Sequence, residues 1–367
     1  MKILRNYRVS FLTILSVFLL FININCGPNT KQYPTFTLQM EPFAVVNDTI
    51  KSHILYQPSI VRIDLKGNIF LLDQGNNRVV EYSSNGKYLK QIGSIGQGPG
   101  DLLNPNYIDI DGNDNLFVLE VGNKRISVFD SSGIFINSFL TPGGPDPVSI
   151  CVISNKKVLV NQPEINGPLF YVYNSDGKLI DSLGRVESFE NPPFKGPNFV
   201  ATYVYNSVDA RFDGKGRIYV SYRDRPLLKC YSESGKLIYD KNLTGSEIDS
   251  LQIRLGQIKE KNNSNTNPYL IKSIIFLRDL ATYKNRILIN LSGSYKIDGK
   301  EGQYFYLLNR KGNLISKYDL VPSNNLKSMS PFIWSFDINS HFQIIGCDTY
   351  NCNLIKASIP QLINNKQ

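Results

Sequence analysis

Apolar and polar positions over residues 58–140 fall into two successive, nearly identical sets. The first runs Pro58-Ser-Ile-Val-Arg-Ile-Asp64-Leu-Lys-Gly67, Asn68-Ile-Phe-Leu-Leu-Asp73, Arg78-Val-Val-Glu-Tyr82 and Gly86-Lys-Tyr-Leu-Lys-Gln-Ile-Gly93. The second runs Pro105-Asn-Tyr-Ile-Asp-Ile-Asp111, Asn115-Leu-Phe-Val-Leu-Glu120, Arg125-Ile-Ser-Val-Phe-Asp130 and Gly133-Ile-Phe-Ile-Asn-Ser-Phe139. Each holds four short runs, alternating or wholly apolar, bounded by Gly, Asn, Asp and Pro. That is how strands joined by tight turns are written in sequence. A repeat of roughly 45 residues with four strands per unit predicts a β-propeller blade.

The same pattern continues more loosely. Blades are predicted at about 57–93, 104–140, 147–184, 204–243, 274–320 and 331–360. Gly86, Gly133, Gly177, Gly235 and Gly312 mark the turn between the third and fourth strands of the first five. The sixth shows only three strands. The strand-like segment Thr35–Val46 is free to supply the missing outer strand and close the ring, leaving no long exposed edge. The expectation is an all-β, six-bladed β-propeller of four-stranded antiparallel blades over 34–360, closed by an N-terminal strand, with a tail at 361–367.

Composition supports this: 21 Tyr and 20 Phe suit pleated, half-buried surfaces. The formal net charge is +9. It is spread along the sequence with no run of five bases, which argues for a soluble surface and against nucleic acid as a partner. The start of the chain sets an address. Lys2, Arg5 and Arg8 precede the apolar run Phe11–Ile22, which is shorter than the ~20 residues that span a bilayer. Residues 1–25 read as a secretory signal. The sequence Asn23-Ile-Asn-Cys26-Gly-Pro resembles the lipobox of bacterial lipoproteins, which implies lipidation of Cys26, membrane attachment and a tether over 26–33. Asn25 departs from the small residue usual before that Cys. Exported cysteines meet an oxidising compartment. Cys347 and Cys352 flank a predicted tight turn and are either a disulfide or two free thiols, while Cys151 and Cys230 read as small buried residues.

The motif Gly67-Asn-Ile-Phe-Leu-Leu-Asp73-x-Gly-Asn-Asn-Arg78, its copy around Glu120 and Arg125, and the linker Gly93-Ser-Ile-Gly96-Gln-Gly-Pro-Gly100 together resemble NHL-repeat propellers, and more narrowly six-bladed propeller lipoproteins of bacteria. The resemblance is specific over blades one and two and loose beyond. It implies a binding scaffold; a minority of such relatives are lyases or lactonases, some with a channel metal ion.

Candidate chemistry is sparse. Asp73 with Arg78, and Glu120 with Arg125, are predicted to be structural turn pairs. Only His53 and His341 are present, so a His-rich metal site is excluded and no Ser-His-Asp set is visible. Calcium remains possible, but Asp109 and Asp337 share the predicted inner strands with Arg62 and Arg211, which favours paired charges over a cage. Two long connections, 185–203 and 245–268, flank blade four, and the second has a helical spacing from Ser246. Strand parity puts them on the same face as the strand two–three turns. The expected ligand face comprises Phe189, Phe194, Phe199, Tyr203, Arg223 and Arg225, because aromatic and Arg side chains dominate binding hot spots. The expected ligand is a protein, peptide or glycan. A lyase or lactonase with a channel calcium ion, and a structural envelope protein, remain as alternatives.

Overall fold

Each predicted blade forms from the runs that signal it. The computed structural model describes residues 33–44, 54–141, 143–154, 157–187, 198–250, 277–291, 295–297, 300–326 and 332–359. Strand β1 (Thr35–Ala44) comes first. Blade one is β2 (Pro58–Ile63), β3 (Ile69–Asp73), β4 (Arg78–Tyr82) and β5 (Tyr88–Ile92). Blade two is β6 (Pro105–Ile110), β7 (Leu116–Glu120), β8 (Arg125–Phe129) and β9 (Phe135–Leu140). Blade three is β10 (Ser149–Ile153), β11 (Lys157–Asn161), β12 (Phe170–Tyr173) and β13 (Leu179–Leu183). Helix α1 (Asn198–Tyr205) precedes blade four, made of β14 (Val208–Phe212), β15 (Arg217–Tyr222), β16 (Leu227–Ser232) and β17 (Leu237–Asn242). Blade five has β18 (Leu277–Tyr283), β19 (Arg286–Leu291), a short β20 (Tyr295–Ile297) laid on β21 (Lys300–Asn309), and β22 (Leu314–Pro322). Blade six is β23 (Ile333–Ile338), β24 (Gln343–Asp348) and β25 (Asn353–Ser358). Neighbours within each blade are antiparallel. The protein is an all-β, six-bladed propeller.

Closure is more extensive than the sequence predicts. Glu41 and Pro42 of β1 pair antiparallel with Lys356 and Ile355 of β25, completing blade six. The first half of β1 also pairs, in parallel, with β22 of blade five, from Thr35 beside Lys317 to Met40 beside Pro322. One strand therefore ends two blades and joins them in a nine-stranded sheet. Leu38 and Met40 are buried in the apolar cluster between those blades.

Burial follows strand position. Strands β3, β4 and β7 are buried along their whole length, whereas the outer β5 alternates exposed and covered residues. The outer turns need left-handed backbone, and Gly86 and Gly133 supply it at φ +85° and +86°. Because strands alternate in direction, the blade-to-blade connections and the strand two–three turns share one face, here called the connection face. The strand one–two and three–four turns form the opposite hairpin rim. Helix α1 lies in a connection that the sequence reads only as an insertion; it buries Ala201, Thr202 and Tyr205. Of the helix expected from Ser246, residues 246–250 are helical, and the remainder lies outside the described residues. Residues 1–32, with Cys26, and the tail at 361–367 also lie outside them.

Candidate functional site

The central channel is lined by the six inner strands, and its charges are paired. Arg62 of blade one lies 3.5 Å from Asp109 of blade two and 3.6 Å from Asp279 of blade five. Arg211 of blade four donates to Asp279 at 3.0 Å, and its Nη1 reaches the Tyr107 hydroxyl at 3.3 Å. That hydroxyl donates to Asp209 at 3.0 Å. Arg223 closes the network with two hydrogen bonds to Asp209, at 2.8 and 2.6 Å.

The carboxylates also clip neighbouring blades together. Asp109 accepts the Val152 N–H at 2.7 Å, and Asp337 accepts the Ile63 N–H at 3.1 Å. The Ser335 hydroxyl donates to Asp279 at 2.5 Å. Burial pushes the Asp109 and Asp337 carboxyls above their usual range, against the pull of Arg211 and Arg62. Asp209 is equally buried, but Arg223 and Arg211 hold it below that range.

Calcium needs six to eight oxygens free to turn inward. Here the carboxylates are committed to guanidinium groups and backbone N–H donors, and Arg62 and Arg211 stand among them as positive charges. The channel residues do not fit the ion. Among the described residues, no three His, Cys, Asp or Glu side chains are grouped to hold any metal.

One channel-mouth cation is different. Arg278, the second residue of β18, lies 3.9 Å from the centre of the Trp334 ring and 4.7 Å from that of Phe332. Its Nε and Nη1 are buried and have no hydrogen-bond partner among the described residues. Burial draws its pKa down to about 10, so it remains charged at neutral pH. Tyr350, in the strand two–three turn of blade six, packs edge-on to Phe332 and is 74% exposed. A guanidinium clamped by aromatic rings, with part of its donor fork unused, is a preformed receptor for an anionic group. Elsewhere on the connection face Ile54, Tyr56, Ile95, Ile165 and Phe199 are exposed.

The residues expected to bind ligand divide. Phe199 projects from α1 and is 64% exposed, while Tyr203 is half-buried. Phe189 and Phe194 lie outside the described residues. Arg223 and Arg225 do lie on the connection face, but they are not free donors. Arg223 is taken by Asp209. Arg225 donates to Glu187 at 2.5 Å and stacks on Tyr222 at 4.2 Å. Both arginines hold blade four and its incoming connection in place.

The turn pairs form as expected. Asp73 accepts Arg78 Nε at 2.7 Å and the Tyr56 N–H at 2.7 Å. Glu120 accepts Arg125 Nε at 2.9 Å and the Leu103 N–H at 3.0 Å. Each pair thus ties the arriving connection to its blade. The glycine-rich linker is structural, since Arg125 donates to the carbonyls of Gly98 and Asp101.

Of the two states left open for Cys347 and Cys352, the structure has free thiols, not a disulfide. Cys352 occupies the left-handed position before the third strand, at φ +53°, as Asn77 and Lys124 do at +53° and +51°. There its sulfur faces the Thr349 carbonyl, while that of Cys347 points to the Ser59 carbonyl.

The sequence reading missed Asp209, Asp279, Arg278, Trp334 and Tyr350. The signal for the first two was available, since charged residues on an inner strand, as in Val208-Asp-Ala-Arg211, need partners across the channel. Nothing in the local pattern marks Arg278 as unpaired.

A family model described as a 6-bladed beta-propeller matches residues 48–178, which spans blades one and two and most of blade three. No curated protein matches the chain. Among solved structures, a Bacteroides fragilis NCTC 9343 protein presumed to be exported is 13% identical, with a TM-score of 0.55 over 88% of this chain and 98% of that one. A streptogramin B lyase is 11% identical, with a TM-score of 0.50 over 88% and 97%. Virginiamycin B lyase from Staphylococcus aureus is 10% identical, with a TM-score of 0.50 over 88% and 99%. At these identities the likeness is one of fold.

Proposed function

We propose that this protein is an exported, lipid-anchored binding propeller of the NHL-like kind, attached through Cys26 and capturing an anionic group of a peptide or glycan on its connection face. The observation that carries the reading is Arg278. Arg278 is half-buried and has no carboxylate partner among the described residues, and such a cation lowers stability unless something else compensates. Trp334 and Phe332 compensate in part, and a ligand anion would complete the set. An Arg packed on Trp334 and Phe332, with exposed Tyr350 beside them, has the composition of a binding hot spot. Export and anchoring are supported by the basic start, the short apolar run and the Cys at its end.

The reading is one of recognition: among the described residues none beside Arg278 is placed as a base or nucleophile, and the channel carboxylates are held by their partners. The test is to screen the protein on glycan and peptide arrays and repeat the screen with Arg278→Gln. Binders enriched in carboxylates or sulfates, lost in the variant while the melting temperature is kept, support the reading. Neutral binders unaffected by the substitution would overturn it.

A further inference from the structure

The hairpin rim is charged unevenly, although its bases are scattered in the sequence. The turns of blade four contribute Lys215, Arg217 and Lys236, and those of blade five contribute Lys284, Arg286, Arg310 and Lys311. Only Asp213 and Glu233 oppose them there, and both are occupied. Asp213 accepts Arg310 Nε at 3.0 Å and caps its own turn, and Glu233 accepts the Ser154 hydroxyl. The equivalent turns of blades one to three carry five bases and five acids. Lys215, Lys236, Lys284 and Lys311 are exposed and have no carboxylate partner among the described residues. Between the two turns of blade five lies a cleft of about 410 Å³ lined by Asn285, Arg286, Asn309, Arg310, Lys311 and Asn313. Its side chains are cationic groups and amides, a set suited to phosphate oxygens.

Strand β1 starts at the same edge. Strand β1 runs parallel to β22, and its first pair, Thr35 with Lys317, lies just beyond the 309–313 turn. The first residue of β1 therefore lies on the rim side, at blade five. Only eight residues separate Cys26 from Thr35, nine steps along the chain and a reach of roughly 30 Å at full extension.

We propose that the basic rim of blades four and five docks on an anionic lipid surface, with headgroup phosphates in the cleft beside Arg286 and Lys311. The lipid tether and the rim then act together, and the connection face is turned away from the bilayer. The orientation rests on lipid attachment at Cys26; the lipid affinity of the rim does not. Basic residues near an anionic bilayer add attraction that fades within a Debye length and with salt.

The experiment uses the full chain carrying Cys26→Ser, so that no acyl chain is attached. Its sedimentation is measured with phosphatidylcholine vesicles, with and without phosphatidylglycerol. Binding is expected only with phosphatidylglycerol and should be lost in high salt. The double variant Lys284→Glu/Lys311→Glu should weaken it by roughly tenfold or more. Lys87→Glu/Lys178→Glu, the same charge change on blades one and three, should leave it nearly unchanged. Because all variants share the same leader, its contribution cancels. Absence of phosphatidylglycerol-dependent binding, or equal loss in the two double variants, overturns the proposal. So does retention of soluble polyphosphate without retention of vesicles, which would make the cleft a site for free phosphate. Palmitate labelling of the unmodified chain tests the Cys26 anchor separately, so failure of one reading is not mistaken for failure of the other.

Discussion

The two faces of this propeller are made from the same strands and differ in nearly everything else. The connection face carries α1, exposed Phe199, Tyr56 and Tyr350, and a guanidinium, that of Arg278, whose Nε and Nη1 have no hydrogen-bond partner among the described residues. The hairpin rim carries short turns, left-handed glycines and, on blades four and five, a surplus of lysine and arginine. The difference comes from loop length. A turn of four or five residues is fixed by its own hydrogen bonds, so its spare positions take charged side chains that stay in water. A connection has room for aromatic residues whose packing is completed by something else. The two proposals follow this contrast, a shaped ligand with an anionic group on one side and a diffuse anionic surface on the other.

The strongest way to break the contrast is to open the ring that supports both faces. Deleting residues 35–44 removes the pairing to β22 and β25 and the burial of Leu38 and Met40, each worth about 1.5–3 kcal/mol from area alone. Both faces should fail together, with the melting temperature falling by about 10 °C or more in a circular-dichroism melt. An unchanged melt would mean that the closure is not holding the ring.

Next comes the channel between the faces. Asp279→Ala strips Arg62 and Arg211 of a shared carboxylate and should cost about 3–5 kcal/mol in chemical denaturation. A cost below about 1 kcal/mol would show that those guanidinium groups are served by Asp109 and the backbone without it.

Arg278→Leu sharpens the contrast, because it should separate binding from stability. Ligand affinity should fall by at least about 2 kcal/mol, as for a hot-spot residue. Stability should hold or rise, since a half-buried guanidinium with no carboxylate partner among the described residues is replaced by an apolar group. Matched calorimetry and melting curves on the variant provide the check. A destabilised variant with full affinity would make Arg278 a packing residue.

The smallest effect concerns the sulfurs. Cys352→Ser should change stability by less than about 1 kcal/mol, because no disulfide is lost. Maleimide should modify Cys352 well before Cys347, which is buried and whose thiol burial pushes up to about 12. Labelling of Cys352 only after reduction would restore the disulfide.

Much of the fold can be read from the chain because blades one and two write it twice. Asp73 and Arg78, then Glu120 and Arg125, recur at one spacing because each pair performs the same local task. Blade six is faint for the opposite reason. Its fourth strand is borrowed from residues more than 300 positions before the strand they pair with, and no local pattern reports a partner so distant. The parallel half of that pairing was missed because it depends on how far β22 extends toward Pro322. The site was legible only in outline. The aromatic and arginine content near blade four points to the connection face, yet Arg223 and Arg225 prove to be occupied by Asp209 and Glu187. Whether an arginine is free depends on carboxylates supplied by other elements, and sequence spacing does not carry that information. The rim charge was invisible for the same reason, since its seven bases come from four turns spread over 100 residues.

The double pairing of β1 has a mechanical meaning. A protein held by its N-terminus transmits any drag on the domain through that strand. Because β1 runs alongside β22 in register over six residue pairs, a pull from the rim side loads those hydrogen bonds together, in shear, and shares the load between two blades. A strand lying on one blade alone, attached at its end, would instead peel off one bond at a time. The strand that completes the circle is also the point at which the molecule is best able to be tugged.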